Sequence, residues 1–242
     1  MSNFPFQRLQ ADLAALIERS PAGFRLPSEP ELARQLNVSR ATLREAMRSF
    51  ETQGLIRRRQ GSGTFVVKVK AIESGLEVLE SVDSMAKRLG LEITVSDLSI
   101  EQMNADSEFA SKLSRHAGDP LTVVRRVIRA DNRPVAYLVD TLSAETLKAE
   151  DLPSDFHGSV LDYLISRGES LTTSRADVSA IGAAADVAKA LEIQRGDVLL
   201  HFSSQLYTGS GDVIDYSLSY FIPGFFRFHI VRRVGNGRAG SE

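Results

Sequence analysis

Arg40, Arg44 and Arg48 recur at every fourth position of SRATLREAMRSF, residues 39–50. In a helix that spacing keeps three guanidinium groups on nearly one face, with Leu43, Met47 and Phe50 turned inward. A guanidinium pairs bidentately with a phosphate or a guanine edge, so such a row can read a polyanion. The alternative is a solvated charged face on which Glu45 and Glu51 help Arg44 and Arg48. A little further on, Arg57, Arg58 and Arg59 precede Gly61 and Gly63. Strand alternation sends Arg57 and Arg59 one way and Arg58 the other, and the glycines let a loop tip approach a phosphate backbone.

A second set of polar side chains lies in apolar, β-prone stretches of the C-terminal part. Arg126 and Asp140 fall on the two strands of one hairpin, Arg175 lies in TTSRADV, and Asp215, Tyr216, Ser217, Ser219 and Tyr220 share another run. Charges in such strands need partners, either each other or a bound ligand. Catalysis has no comparable support. The four histidines (116, 157, 201 and 229) show no metal-ligand spacing, and GxSxG and phosphate-binding glycine loops are absent. No metal or cofactor is expected.

The elements that must position these residues follow from pattern. Residues 6–19 carry Leu9, Leu13, Leu16 and Ile17 at helical spacing. Ser28, with Glu31 three residues on, opens a second helix that tolerates Pro30 in its first turn. NVS turns the chain, Ser39 caps a third helix to about Thr52, and Gly54 ends it. LIRRR and TFVVKV then make a hairpin around QGSG. Two helices, a tight turn and a hairpin form a winged helix-turn-helix. The later sequence predicts a helix over 71–89, a strand at LEITVSDLSIEQM, and a helix at ADSEFASKLSRH. Two strands flank DNRP, Ser159 caps a short helix, and SLTTSRADVSAIG is a strand. A helix at AAADVAKALEI and a hairpin around GSGD follow. Strands joined by hairpins and interspersed with helices give an α+β domain on an antiparallel sheet.

Charge separates the two parts. Residues 1–70 hold 12 Lys+Arg against 6 Asp+Glu, a net of +6, whereas 71–242 hold 17 against 25, a net of -8. A basic module for a polyanion is thereby joined to an acidic one with another task. The chain has no cysteine, no signal-peptide layout at its start, and no apolar run near the about 18 residues of a membrane span. A cytoplasmic protein with no membrane partner is expected.

LPSEPELARQLNVSRATLREAMRSFETQGLIRRRQGSGTFV resembles the winged helix-turn-helix of the GntR family of bacterial transcription regulators. The resemblance implies a homodimer on a palindromic double-stranded DNA operator, and DNA contacts at Ser39, Arg40, Thr42, Arg44 and Gly61. Ser28, Arg48, Arg58 and Gly63 complete the expected DNA-facing set. Pro30 stands where the family usually has a phosphate-contacting arginine, which shifts affinity toward Arg48 or the wing.

RRVIRADNRPVAYLVDTLSAETL, GSVLDYLISRG, SRADVSA and VIDYSLSYFIPGFFRFHI look like the UTRA effector domain of the HutC subfamily, whose fold is shared with chorismate lyase. The resemblance implies a small metabolite held at Arg126, Ser159, Arg175, Asp215 and Tyr220. Asp140, Tyr216 and Ser217 are added from the strand pattern. Amino-sugar-phosphate sensors of the subfamily usually carry a second basic residue at Ile128 and an acid at Leu138, so both departures count against a sugar phosphate. The segment VDTLSAETL is similar to phosphonate-regulon members. An effector with an anionic end for Arg126 or Arg175 and a cationic or hydroxyl end for Asp140 or Asp215 is expected.

These readings divide the chain into a DNA-binding domain (1–67), a linker (68–75), an effector-binding and dimerisation domain (76–235) and a disordered tail (236–242). The expected function is an effector-responsive transcription regulator, in this family most often a repressor. The alternatives are an enzyme using the lyase-like fold and an architectural DNA-binding protein with no sensing role.

Overall fold

Helix α1 (Phe4–Arg19) buries Leu9, Leu13 and Ile17 against α2 (Glu29–Gln35) and α3 (Arg40–Thr52). Fully burying a side chain of this size contributes about 1.5–3 kcal/mol, so the heptad-like stripe of α1 is what secures it. In the computed structural model, residues 4–68, 71–148, 150, 152–153 and 156–232 are described. The expected tail, 236–242, lies outside the described residues, as do 69 and 70 of the expected linker.

The helix-turn-helix is built by local chemistry. The Glu31 carboxylate accepts from the Ser28 N–H (3.0 Å) and hydroxyl (2.7 Å) at the start of α2. Asn37 takes a left-handed φ of 52° in the turn, a conformation its short polar side chain tolerates. Ser39 Oγ then accepts the Thr42 N–H at 3.1 Å and caps α3. Gly54, at φ 74°, ends α3 with the Leu55 N–H returning to the Phe50 carbonyl. The wing pairs β1 (Ile56–Arg59) with β2 (Gly63–Val66). Residues 23–26 add hydrogen bonds along β2, through Gly23 and Leu26 N–H groups to Val66 and Thr64 carbonyls.

The C-terminal part is a six-stranded, wholly antiparallel sheet. Its strands are β4 (Ile93–Asn104), β5 (Pro120–Ala130), β6 (Arg133–Ser143), β7 (Leu171–Gly182), β8 (Val198–Thr208) and β9 (Val213–Phe221), in the order β4-β5-β6-β9-β8-β7. The β5–β6 turn uses positive φ at Asp131 and Asn132, which suits the right-handed twist of a two-residue hairpin. Four short helices, α4 (Val82–Arg88), α5 (Ser107–Leu113), α6 (Val160–Ser166) and α7 (Ala185–Ala190), accompany the sheet.

Two elements differ from the pattern-based expectation. Residues 71–89 are not one helix: β3 (Ile72–Gly75) comes first, and α4 covers only Val82–Arg88. β3 pairs in parallel with β10 (Phe226–His229), a strand not anticipated in FFRFHI. Such short strands are stabilised by a partner remote in the chain, so no local periodicity announces them. The pairing also draws 72–75, expected within the linker, into the C-terminal sheet system.

The register sorts the side chains of the large sheet onto two faces. Arg126, Leu138, Ser219, Phe202 and Val178 lie side by side across β5, β6, β9, β8 and β7. Asp140 and Ser217 share that face, two residues away along their strands. Between β8 and β9 the register shifts at Leu206/Tyr207, so that Leu206 opposes Asp215 and Tyr207 opposes Val213. This bulge packs Ile214 with Leu142 and Leu206, whereas Val213 packs with Tyr216 and Leu121. Asp215, in unbroken alternation with Ser217 and Ser219, lies with Arg126 and Asp140 on the first face. Tyr216 and Tyr220, with Arg175, fall on the second.

Candidate DNA-reading surface and effector site

At the start of α3, Ser39, Arg40 and Arg44 are exposed and Thr42 is half-buried, while Leu43, Ala46, Met47 and Phe50 are buried. The cap therefore presents a polar N-terminal turn outward and anchors the helix by its other face. Arg44 and Arg58 converge on one carboxylate, that of Glu29, at 2.8 and 2.9 Å. The Arg44 hydrogen bond, reinforced by the charge of Arg58, holds the Glu29 carboxyl below its ordinary range against the opposing effect of burial. Glu29 thus links recognition helix to wing, a role the sequence reading did not assign. Its signal was present: an acid in the first turn of the helix preceding the recognition helix.

In the wing, Gly61 (φ 72°) has open space where a Cβ would sit, leaving the tip clear. A Cβ on Gly63 (φ 119°) would stand 2.8 Å from Arg25 Nε, so Gly63 seats Arg25 as well as turning the chain. Ser28 is occupied by Glu31. Arg48 departs most from the expected row. Its side chain turns to Asp197 Oδ1 (2.7 Å) in the C-terminal domain and to Glu45 (3.0 Å). The same end of α3 meets other parts of that domain: Arg133 Nη2 donates to the Glu51 carbonyl at 3.1 Å, and Gly54 abuts the Phe225 ring.

On the sheet's first face, Arg126 and Asp140 form a buried ion pair. The helix starts above them add two further carboxylates. Ser159 caps α6 and donates to Asp162 Oδ2 at 2.8 Å, and Ser81, which caps α4, donates to the same oxygen at 2.7 Å. Burial pushes the half-buried Asp83 carboxyl above its ordinary value; Asp162 adds to this and Arg126 opposes it. Gly158 (φ 91°) makes room for the cluster, since a Cβ there would lie 2.6 Å from Arg126 Cδ.

Asp215 completes the site. Burial, then repulsion from Asp140, raises its carboxyl well above the ordinary value, and Arg126 only partly offsets this. Its Oδ1 is buried without a hydrogen-bond partner among the described residues. The arrangement is four carboxyl groups (Asp83, Asp140, Asp162 and Asp215) around one guanidinium that Asp140 already engages. It can bind a positive or hydrogen-bond-donating group. Asp83 and Asp162 were not singled out from sequence, although Ser159-Val-Leu-Asp162 is a legible capping motif.

Three residues expected at the effector site stand apart from it. Tyr216 packs edge-on to Phe109 of α5 and shares a 3.1 Å hydrogen bond with Ser203. Tyr220 stacks on Tyr137 and lies 4.8 Å from the His201 ring. Arg175 is 72% exposed on β7, with Asp177 at 3.9 Å as its ion-pair partner. Strand alternation separates these from Arg126. Among the described residues no group of three or more His, Cys, Asp or Glu side chains has metal-binding geometry, and no helix is long and apolar enough to cross a membrane.

A winged helix-turn-helix carried on an α+β sheet domain with a charged, partly buried cluster defines a one-chain DNA-binding regulator. The family model for bacterial regulatory proteins of the gntR family matches residues 6–66, and that for the UTRA domain matches 88–227. The chain is 30% identical over 200 residues to the HTH-type transcriptional repressor NagR of Bacillus subtilis (strain 168), covering 81% of this chain and 80% of that protein. It is 28% identical over 189 residues to the histidine utilization repressor of Pseudomonas putida, covering 78% and 75%. In fold it is similar to PhnF from Mycobacterium smegmatis, with a TM-score of 0.65 at 24% identity, over 94% of this chain and 100% of that one. The chain belongs to the GntR family of bacterial regulators and carries the UTRA domain of its HutC-like members. It is an effector-responsive transcription regulator, not an enzyme.

Proposed function

We propose that this regulator is a cytoplasmic repressor that binds a palindromic operator as a homodimer and releases it when the sheet domain takes up a small metabolite. The observation that carries the DNA half is the exposed N-terminal turn of α3, where Ser39, Arg40 and Arg44 stand clear of the core beside Arg58 of the wing. Ser39, Arg40, Thr42 and Arg44 contact base edges and nearby phosphates. Arg58, Gly61 and Gly63 follow the backbone, and Ser28 lies at the start of the supporting helix. Residues 1–67 act as the DNA-binding unit, with 76–235 as the effector unit. Parallel pairing of Ile72–Gly75 with β10 favours moving the joint to the few residues before Ile72.

The effector site is the cluster of Arg126, Asp140, Ser159 and Asp215 with Ser217 beside them. The excess of carboxyl groups over the single guanidinium favours a metabolite with a cationic or donor end placed against Asp215 Oδ1. With Arg126 already paired and Arg175 on the other face, an anionic end is the less favoured partner. The contacts of Arg48, Glu51 and Gly54 with the C-terminal domain supply a route by which a change there reorients α3. Release of DNA needs only a few kcal/mol of differential affinity between two such orientations.

Fluorescence anisotropy on the chain's own upstream intergenic DNA, with a scrambled duplex as control and a salt titration, tests the reading. A preference of about a thousandfold with steep salt dependence is expected of a specific regulator. Equal, weak binding to both duplexes would overturn operator recognition at that site.

A further inference from the structure

α2 and the start of α3 form an open concave surface of about 540 Å³ at the turn between them. Pro30, Ala33 and Arg34 line it from α2, at helical positions i, i+3 and i+4. Asn37 lines it from the turn, and Ser39 and Arg40 from the start of α3. Arg34 and Arg40 are both exposed, one on each wall. Pro30, one turn before Arg34 on the same face, carries neither charge nor N–H, so Arg34 is the cation that α2 contributes.

The arginines of this domain differ in what they already hold. Arg44 and Arg58 share Glu29, and Arg48 holds Glu45 and Asp197. The side chains of Arg34 and Arg40 have no hydrogen-bond or ion-pair partner among the described residues. Their charges reach Glu31 and Glu29 only at longer range, and the Glu31 carboxylate is taken by the Ser28 N–H and hydroxyl. Two guanidinium groups bordering one concavity repel each other modestly in water. An anion seated between them removes that repulsion and accepts from both. We propose that Arg34 is a further DNA contact, which with Arg40 clamps one phosphodiester of the operator between α2 and α3. A phosphate is the fitting partner because α3, not α2, enters the groove and reaches base edges. This rests on the reading that the start of α3 faces DNA. A free phosphate has the same chemistry, and the test separates it from the DNA backbone.

The test is anisotropy of the full chain, Arg34→Ala, Arg34→Lys and Arg40→Ala on the operator within its upstream DNA. Each protein is measured on the intact duplex and on duplexes in which single phosphates are replaced in turn by neutral methylphosphonate. Arg34→Ala is expected to bind the intact duplex about tenfold more weakly, with a salt slope reduced by about one counterion. Arg34→Lys keeps the charge and should keep most of both. At one phosphate, the same for Arg34 and Arg40, methylphosphonate should cost wild type more than either Ala variant. Elsewhere it should act alike on wild type and Arg34→Ala. The Arg34 side chain lies on the surface, and circular dichroism checks the fold of each variant. If Arg34→Ala binds as wild type does while Arg40→Ala is weakened, the clamp is overturned and the reading of α3 stands. If Arg40→Ala also binds as wild type does, that reading fails with it. A weakened Arg34→Ala that responds to methylphosphonate as wild type does at every position would put its anion off the DNA backbone and sink the proposal. Two different phosphates for the two arginines would do the same for the shared clamp.

Discussion

Arg48 and Asp197 are 149 positions apart in the chain, yet their side chains meet at 2.7 Å and tie the recognition helix to the turn before β8. Asp197 is largely buried (9% exposed) and Arg48 is 28% exposed, so the pair is partly shielded from water. Arg48 Nε is buried and without a hydrogen-bond partner among the described residues, so its guanidinium is held for the ion pairs at a cost. An arginine of the recognition helix is thereby engaged by the effector domain.

Replacing Asp197 by Asn should free Arg48 for the phosphate backbone. Operator affinity is expected to rise, and the salt dependence of binding should steepen by about one counterion. Arg48→Ala in the same background should cancel both changes. An unaltered salt slope in the Asp197→Asn protein would show that Arg48 does not reach DNA.

Arg44 and Arg58 share Glu29 but should differ on DNA. Arg44→Ala is expected to weaken operator binding by about 1–3 kcal/mol and to relax the sequence preference, as for a base contact. Arg58→Ala should weaken all duplexes alike. Glu29→Gln leaves both arginines without their carboxylate, so binding to scrambled duplex should tighten and the specificity ratio should fall. Anisotropy on matched and scrambled DNA reads all three.

Asp215 makes stability depend on pH. Its folded carboxyl is raised above the ordinary value of 3.8, so the folded state keeps a proton that the unfolded chain has lost. Stability contributed at low pH is therefore lost as pH rises from that ordinary value through the raised one. Asp215→Asn removes the titration: it should melt higher than wild type at about pH 8, with the gap closing toward about pH 4. A gap that does not vary with pH would exclude this role.

Gly158 keeps Arg126 in place. Gly158→Ala adds a Cβ 2.6 Å from Arg126 Cδ and strains a backbone at φ 91°. Denaturant unfolding should show a loss of about 1–3 kcal/mol. DNA binding in the absence of effector should stay near wild type, because the cluster lies in the other domain.

Ser39→Ala removes the cap of α3. The hydrogen bond to the Thr42 N–H is lost, which should cost about 0.5–2 kcal/mol of stability. A weaker operator complex should accompany it, whereas Ser39→Asp should recover stability more than DNA affinity, since it places a carboxylate near phosphates.

The DNA-binding half was legible because its determinants are local. Ser39 with Thr42, Asn37 in its turn, and Gly54 at the helix end act within a few residues, and each conformation follows from a side chain in the same segment. The hairpins β5–β6 and β8–β9 were legible for the same reason. Less of the effector site could be read. Alternation along β9 separates Asp215 from Tyr216 and Tyr220, but which of the two faces meets Arg126 depends on the register of β5, β6 and β9. Asp83 and Asp162 belong to helices whose starts are readable but whose docking over Arg126 is not.

The sequence by itself determined a basic winged helix-turn-helix, an acidic α+β partner, and the caps and turns that delimit most elements. These rest on hydrogen bonds and periodicities spanning a few residues. Only the tertiary structure decided that Arg126, Asp140 and Asp215 form one cluster while Arg175, Tyr216 and Tyr220 stand elsewhere. It alone paired Ile72–Gly75 with Phe226–His229 and brought Arg48 to Asp197. These are contacts between segments remote in the chain, set by register and domain packing, and a linear pattern carries no record of which distant groups burial will bring together.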